Sequence, residues 1–277
     1  MATTQAKAAP KKSGFQGIQA AIWVIVFCFV AAVCVYKFVL GNPDNFQGGD
    51  PANAVKDGSL LGTIYKGGIV VPVIITLLFT VVALSIERWL ALNTAFGKGK
   101  LPKFVSNIKA ALNANDFDKA QKLCDAQRGT VANVVGASLR TYKEMEQTSG
   151  IKKAQKIAKI QQAHEEATQL EMPTLQMNMP ILATLVTLGT LTALFGTVVG
   201  MIRSFAALAS GGGGDSLALS EGISEALVNT ASGILTSWCA VIAYNYYSNK
   251  IDKLTYALDE VGYPIAQTYE ANHTEEA

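Results

Sequence analysis

The sequence predicts an all-α, polytopic membrane protein with four transmembrane helices and a helical cytoplasmic domain. Half of its 277 residues are apolar and only 16% are charged, whereas a soluble domain carries about 25% charged residues. Four long apolar segments explain the imbalance: 18–40, 67–92, 181–207 and 223–247. Their only charged residues are Lys37, Glu87, Arg88, Arg203 and Glu225. This segregation excludes a simple soluble globule, a disordered chain and a secreted disulfide scaffold.

Each apolar segment is long enough to span a bilayer as a helix. About 20 helical residues cross the ~30 Å of hydrocarbon, where the backbone must satisfy its own hydrogen bonds. The segment 18–40 exceeds the apolar part of a signal peptide, and no small-residue cleavage site follows Leu40 at once. We therefore expect it to be retained as the first span.

The basic residues predict the orientation of these spans. The N-terminal tail 1–17, the region 93–178 and the C-terminal tail 248–277 together hold 18 Lys and Arg residues, whereas the loop 41–66 holds two. Cytoplasmic segments are enriched in Lys and Arg. Both termini and region 93–178 are therefore expected in the cytoplasm, and loop 41–66 on the outer side of the membrane. The net charge of +2 indicates no nucleic-acid partner, while membrane lipids are expected neighbours.

Region 93–178 is predicted to be helical. Apolar residues at helical spacing, Leu101, Val105, Ile108 and Leu112, indicate its first helix. Asn115 or Asp116 is expected to cap a second helix that ends near Gly129. A third is expected from Thr130 to Glu146, followed by a long polar helix from Ile151 that carries the third span below the membrane, with kinks at Pro173 and Pro180.

The second span ends in Glu87 and Arg88, followed by Trp89. An acid, a base and an aromatic residue at the cytoplasmic edge are typical of an interfacial anchor. Contact with lipid headgroups and pairing with a neighbouring subunit are both open readings of these charges.

No catalytic, metal-binding or cofactor-binding cluster is evident. Cys28, Cys34, Cys124 and Cys239 lack zinc-ligand spacing, so they are expected to be small apolar fillers. His164 and His273 are isolated in the sequence and are expected at the surface. We therefore predict that the protein is not an enzyme.

The last two apolar segments carry small and hydroxyl residues at helical spacing. In the third span Thr190, Thr197 and Ser204 recur every seven residues. In the fourth, one face carries Ala226, Thr230, Gly233, Ser237 and Ala240, and beside it run Glu225, Asn229, Ser232 and Thr236. Such stripes permit close helix packing, with hydroxyls bonded to their own backbone. Two facing stripes with charges also fit a water- or ion-accessible interface.

The two charges of this hairpin are predicted to pair. Arg203 lies six residues outward of Thr197, and Glu225 lies five residues outward of Thr230. At about 1.5 Å of rise per residue, antiparallel helices joined at Gly211–Gly214 place both charges at one depth. No Asp, Glu, His or Lys lies deeper, so any proton-storing carboxylate is expected from another chain.

At these residues the sequence resembles the MotA/TolQ/ExbB proton-channel family. Residues 194–201, L-F-G-T-V-V-G-M, are similar to its L-x-G-T-V-x-G-[IM] element. Residues 222–234, G-I-S-E-A-L-V-N-T-A-S-G-I, are similar to its second element, and Tyr244-Asn245 to its Y-N pair. ExbB is the nearest reading within the family. The first span and Arg203 depart from the common pattern.

The resemblance implies a pentameric ring in the bacterial inner membrane, in which residues 179–247 form the pore hairpin. The family's pore-facing threonines carry over to Thr197 and Thr230, and Asn229 and Ser237 are expected to line the same proton path. The family's outer glutamate carries over to Glu225, which is expected at the outer mouth with Arg203. The ring would surround an ExbD-like dimer whose Asp carries protons inward. That flow would power a TonB-like protein and outer-membrane transport. A TolQ-like role in envelope maintenance, or a scaffold without ion passage, are the alternatives.

Overall fold

The computed structural model describes residues 21–210 and 216–273 and is almost entirely helical in these ranges. The N-terminal tail and the Gly211–Gly214 turn lie outside them. The α-helices are α1 (Ala21–Cys34), α2 (Leu60–Tyr65), α3 (Val70–Phe96), α4 (Leu101–Asn113), α5 (Phe117–Gln127), α6 (Thr130–Gln147), α7 (Lys153–Gln176), α8 (Met179–Ser210) and α9 (Ser216–Asn272).

Four helices of the described chain are long and apolar enough to cross a membrane, which confirms the predicted number. The first is α1, which a π-helical turn at Val35–Leu40 extends to the predicted end of the span. The others lie in α3, α8 and α9. Helix α3 begins at Val70, three residues later than predicted, because Gly68 has a left-handed φ of 75° that ends the preceding turn.

The chain forms two units. The first comprises Ile18–Arg88 and Asn178–Asn249 and contains all four spans; we call it the membrane unit. Within it, α9 runs alongside α3. The backbone of Gly67 lies against Val228 near the outer end, and the Tyr247 hydroxyl donates to the Ser85 carbonyl at 2.6 Å near the inner end.

Helix α1 is the most exposed of the spans. Three of its large apolar side chains are each about three-quarters exposed: Ile22, Trp23 and Phe27. An apolar cavity of about 510 Å³ lies between α1 and α3. At the outer end, Tyr36 stacks on Tyr65 with ring centroids 4.7 Å apart. The extra span is thus fastened chiefly through its outer end.

Loop 41–66 folds into a small cap on the membrane unit. Phe46 is fully buried and packs edge-on against Tyr65 at 5.4 Å. The Asn45 amide donates to the carbonyls of Val39 and Leu40, each at 3.0 Å. Because these bonds join the loop to the end of the first span, the loop is an ordered element rather than a plain connection.

The second unit comprises Trp89–Met177 and the chain from Lys250 onward. It contains α4–α7 and the last part of α9; we call it the helical unit. The predicted apolar stripe of α4 is buried, and the Asp116 side chain caps α5 by accepting a hydrogen bond from the Lys119 amide at 2.9 Å. Both predictions are confirmed.

The segment expected only as a tail, 248–277, continues α9 through Asn272. Its apolar residues pack into the helical unit and are almost fully buried: Leu254, Leu258, Val261, Ile265 and Tyr269. They recur every three or four residues, which is the periodicity of a packed helix. That signal is visible in the sequence, but it is easily missed because the segment follows a membrane span.

The long polar helix does not run into the third span as expected. Helix α7 passes through Pro173 and ends at Gln176, and α8 starts at Met179. Asn178 between them has a left-handed φ of 61°, a conformation that ends a helix and that Asn tolerates better than most residues. The break therefore falls at Asn178 rather than at either proline.

The two histidines are packed rather than free at the surface, so that expectation is wrong. His164 is half-buried, and its Nδ1 lies 3.0 Å from the Ser138 hydroxyl. His273 stacks on Tyr269 with ring centroids 4.1 Å apart. Both rings fill gaps between helices of the helical unit, and neither position could be read from local sequence.

Candidate functional site: the α8–α9 hairpin

Helices α8 and α9 touch through their glycines. A Cβ atom added at Gly233 would lie 2.6 Å from the Gly189 carbonyl oxygen, and one at Gly200 would lie 2.8 Å from the Gly222 carbonyl oxygen. Such distances leave no room for a side chain. The predicted small-residue stripes therefore form the seam between two antiparallel helices of one chain.

The two predicted pore threonines meet in this seam. The hydroxyl oxygens of Thr197 and Thr230 are 2.5 Å apart. Thr197 is also placed to donate to the Ala193 carbonyl at 3.1 Å, and Thr230 to the Ala226 carbonyl at 3.0 Å. Two hydroxyl protons are shared among three possible bonds, because each hydroxyl has one proton to donate. The pair can therefore exchange hydrogen-bond direction without moving its oxygens.

A second hydroxyl contact lies further inward. The Thr190 and Ser237 hydroxyl oxygens are 2.9 Å apart, and the Ser237 oxygen lies close to Gly189, where it occupies the space that a Cβ would need. Ser237 thus lines the seam between the helices, in the same stripe as Thr230. The seam carries hydroxyl groups at two depths within the apolar length of the hairpin.

The predicted ion pair is present at the outer end. Arg203 Nη1 lies 2.8 Å and 2.9 Å from the two carboxylate oxygens of Glu225. The Glu225 side chain is 8% exposed, but that of Arg203 is 54% exposed. A buried carboxylate is tolerated because the guanidinium compensates its charge, and the half-exposed guanidinium faces out of the hairpin.

The turn before α3 closes over this pair. Glu225 fills the space where a Cβ on Gly68 would stand, and Arg203 Nη1 would lie 3.4 Å from that Cβ. Lys66, in the same turn, lies 3.6 Å from the Glu221 carboxylate. The outer charges are therefore held by three elements of the membrane unit, α8, α9 and the turn at Gly68, which sequence reasoning did not link.

Asn229 lies one turn inward of Glu225 and is fully buried. Its amide lies over Gly196, whose missing side chain leaves room for it. Neither amide atom has a hydrogen-bond partner among the described residues. An unsatisfied buried polar group costs about 1–3 kcal/mol. On the same face, Thr236 is equally buried but donates to the Ser232 carbonyl at 3.0 Å.

The reading in which Glu87 and Arg88 contact lipid headgroups is wrong. Glu87 and Arg88 are buried, and Arg88 Nη2 is hydrogen-bonded to the Glu87 carboxylate. The Asn178 amide also donates to Glu87 at 3.3 Å. These charges are partnered within the chain, so they do not contact headgroups, whereas the neighbouring Trp89 is half-exposed.

The two charge clusters bracket the apolar part of the membrane unit. From Glu225 to Tyr247, which bonds Ser85 beside the inner cluster, α9 rises about 33 Å. That rise matches the ~30 Å thickness of bilayer hydrocarbon. Leu235, Trp238 and Ile242 of α9 are at least half-exposed, whereas Val228 packs against Gly67.

Comparison with known proteins places this hairpin in a family. The model of the MotA/TolQ/ExbB proton channel family matches residues 131–260, which include both threonines and the ion pair. Over these residues the chain is similar to this family of proton channels.

Relatives carry both the TolQ and the ExbB-like names. The Tol-Pal system protein TolQ of Pseudomonas aeruginosa is 28% identical over 210 residues, covering 73% of this chain and 88% of that protein. A putative biopolymer transport protein, ExbB-like 1, of Synechocystis is 29% identical over 196 residues, covering 67% and 69%. TolQ of Haemophilus influenzae is 34% identical over 84 residues, covering 30% and 37%. The resemblance inferred from residues 194–201 and 222–234 is thus confirmed at the family level.

Proposed function

We propose that this chain is the ring-forming subunit of an inner-membrane proton-driven motor of the ExbB type. Five copies enclose a dimer of ExbD-like single-span partners, and the partner's Asp carries protons inward past Thr197 and Thr230. The resulting motion is transmitted to a TonB-like protein and energises outer-membrane transport. Both termini are cytoplasmic.

The Thr197–Thr230 hydroxyl pair is the observation that carries this proposal. It lies at membrane depth, half-buried, and shares two protons among three bonds. No Asp, Glu, His, Lys or Arg lies along α9 between Glu225 and Tyr244. Hydroxyls can pass a hydrogen bond along but cannot hold a charge near neutral pH, so a motor built on them needs a carboxylate from a partner. The driving energy is about 2.3 kcal/mol per proton per 100 mV.

Proton uptake into liposomes tests the proposal. The protein is reconstituted with a single-span partner that carries an Asp in its membrane helix, and uptake is followed with a pH-sensitive dye. Thr197→Val and Thr230→Val keep the side-chain shape but remove the hydroxyl, and each is expected to lower partner-dependent uptake at least tenfold, or about 1.4 kcal/mol in the barrier.

Thr187→Val is the matched control. Thr187 is an exposed threonine of the same helix whose hydroxyl donates to the Thr184 carbonyl at 2.9 Å, so its loss is expected to leave uptake unchanged. Full uptake in both the Thr197 and Thr230 variants would instead favour a scaffold without ion passage.

A TolQ-like role in envelope maintenance is the second candidate, favoured by the extent of the match to the Pseudomonas protein. Expression in two bacterial strains, one lacking its TolQ protein and one lacking its ExbB protein, separates the two roles. Restored detergent resistance in the first strain supports the TolQ-like role, and restored receptor-dependent uptake in the second supports the ExbB-like role.

A further inference from the structure

Asn229 is a buried polar group that the hairpin does not satisfy. Its side chain is fully buried, and both its Nδ2 and its Oδ1 lack hydrogen-bond partners among the described residues. Other buried polar side chains of the hairpin have partners: Ser204 donates to the Gly200 carbonyl at 3.1 Å, and Ser237 lies 2.9 Å from Thr190. Since buried polar groups are as a rule hydrogen-bonded, the amide of Asn229 points to a ligand.

The amide occupies a defined place between the two functional pairs. It packs on Gly196, where an added Cβ would lie 2.9 Å from Asn229 Nδ2. The next residue of each helix is a member of the threonine pair, Thr197 or Thr230. Glu225 lies one turn outward, a rise of about 6 Å. A ligand on the amide therefore lies at the level of the hydroxyl pair and below the ion pair.

The chemistry of the amide selects the ligand. Nδ2 must donate and Oδ1 must accept, so a cation would satisfy only the oxygen and an anion only the nitrogen. A side chain from another copy or a partner is excluded because the amide is sealed within the membrane unit. Water both donates and accepts, and buried waters typically make about three bonds to otherwise unsatisfied groups.

We propose that Asn229 holds a buried hydration site inside each protomer, and that its water links the level of the Arg203–Glu225 pair to the Thr197–Thr230 pair. Whenever one threonine hydroxyl of the pair donates to the other, it stops donating to its own helix carbonyl, and that carbonyl can then accept from a water at the same level. The functional meaning of this link rests on the proposed proton motor. The hydration itself does not, because it follows from the burial of the amide alone.

Hydration is measured on the full-length protein in lipid nanodiscs, without partner or proton gradient. Proton-detected solid-state NMR with ¹⁵N-labelled asparagine and threonine follows magnetisation transfer from water to the asparagine side-chain amides and to the threonine sites. The Asn229 amide is expected to receive magnetisation at short mixing times although it is buried. Asn229→Leu, a change of similar size, is expected to abolish water transfer to the neighbouring Thr197 and Thr230. Asn229→Ser retains a donor and an acceptor and is expected to preserve it.

Thr236→Val is the matched control, since Thr236 is equally buried on the same helix but already bonded to the Ser232 carbonyl. It is expected to leave the water signal at the threonines unchanged. No transfer to the Asn229 amide, together with a higher melting temperature of Asn229→Leu than of the unmodified protein, would overturn the proposal by showing a dry site.

Proton uptake then distinguishes this inference from the motor proposal. With the partner present, Asn229→Leu is expected to lower uptake severalfold and Asn229→Ser to retain most of it. If water reaches the Asn229 amide but the unmodified protein shows no partner-dependent proton uptake, the motor proposal is refuted and the hydration site is supported. Uptake that survives intact in Asn229→Leu would refute the linking role.

Discussion

Gly68 sets the position of the outer charge pair, although it lies in a turn far along the chain from both charges. Its φ of 75° is a conformation that glycine adopts without strain, and the Glu225 carboxylate fills the space where its Cβ would be. The absence of a side chain at this residue therefore allows a buried carboxylate to sit beneath the turn and beside Arg203.

Gly68→Ala is expected to destabilise the membrane unit for two reasons. A left-handed φ costs a non-glycine residue about 1–2 kcal/mol, and the new methyl group must displace Glu225 from Arg203. Thermal unfolding in nanodiscs measures the total loss. Gly58→Ala is the control, because Gly58 has a φ of 82° but open space around it. Equal melting temperatures for the two variants would show that the carboxylate yields without cost.

At the scale of elements, the glycine seam decides how closely α8 and α9 approach. The backbones are in contact at Gly189 and Gly233, and this contact brings the threonine hydroxyls within hydrogen-bonding distance. In a bilayer, helices associate through such packing because the surrounding lipid is as apolar as the helices themselves.

Gly233→Val is expected to force the two helices apart. Even the Cβ would lie 2.6 Å from the Gly189 carbonyl oxygen, so the seam must open, at a cost of about 1–3 kcal/mol. Oxidative cross-linking of a cysteine pair introduced at Thr190 and Ser237 reports the separation. Ala231→Val, on the exposed side of the same helix, is expected to cross-link as efficiently as the unmodified hairpin, and similar yields from both variants would contradict a close seam.

The packing of α7 on α9 in the helical unit depends on His164. Burial lowers the pKa of His164 from its ordinary value of 6.5. A hydrogen bond with the Leu258 backbone and the charges of Asp259 and Glu165 act in the opposite direction, but their effect on the pKa is smaller. The neutral ring is therefore the form that the folded unit prefers.

The stability of the helical unit is accordingly expected to fall in acid. Because the folded pKa is below the unfolded one, the contribution of His164 is fully present above about pH 6.5 and is lost as the pH falls through the lower folded pKa. Hydrogen exchange of α6 and α7 in the full-length protein measures this effect between pH 7.5 and 5. His164→Gln is expected to remove most of the change in stability with pH, and His273→Gln to leave that change as it is. If stability still fell equally in acid in His164→Gln, another group would be responsible for the loss.

At the scale of the whole molecule, charge separates two units of different composition. The membrane unit holds five of the chain's 23 Lys and Arg residues, and the helical unit holds most of the others. Since basic residues are retained in the cytoplasm, this distribution predicts the orientation of the whole chain.

Cysteine labelling tests that orientation. In a cysteine-free background, Asp50→Cys is expected to react with a membrane-impermeant maleimide in intact spheroplasts, and Lys152→Cys only in inverted vesicles. Both positions are exposed in their own units, so a difference in labelling reports the side of the membrane. Labelling of position 152 from outside would reverse the proposed topology.

Local patterns were sufficient for the spans, the helices of region 93–178 and the depth of the outer charges. Helical rise and periodicity depend on residues close in sequence, so Arg203 and Glu225 could be matched from their spacing along the two helices. The same regularity located both threonines, although whether they line a pore stays a prediction.

Tertiary structure alone decided which side chains meet and which are left without partners. Glu87 and Arg88 have the pattern of interfacial charges, but Asn178 and the helix packing enclose them. In the sequence, Asn229 is one more polar residue of a helical stripe. In the structure, its amide is buried and has no hydrogen-bond partner among the described residues. The sequence determined that four helices are long and apolar enough to cross a membrane and how far along its helix each polar group lies, because both follow from consecutive residues. Burial and hydrogen bonding depend instead on groups brought together from distant parts of the chain, and only the packing of α3, α8 and α9 fixes those.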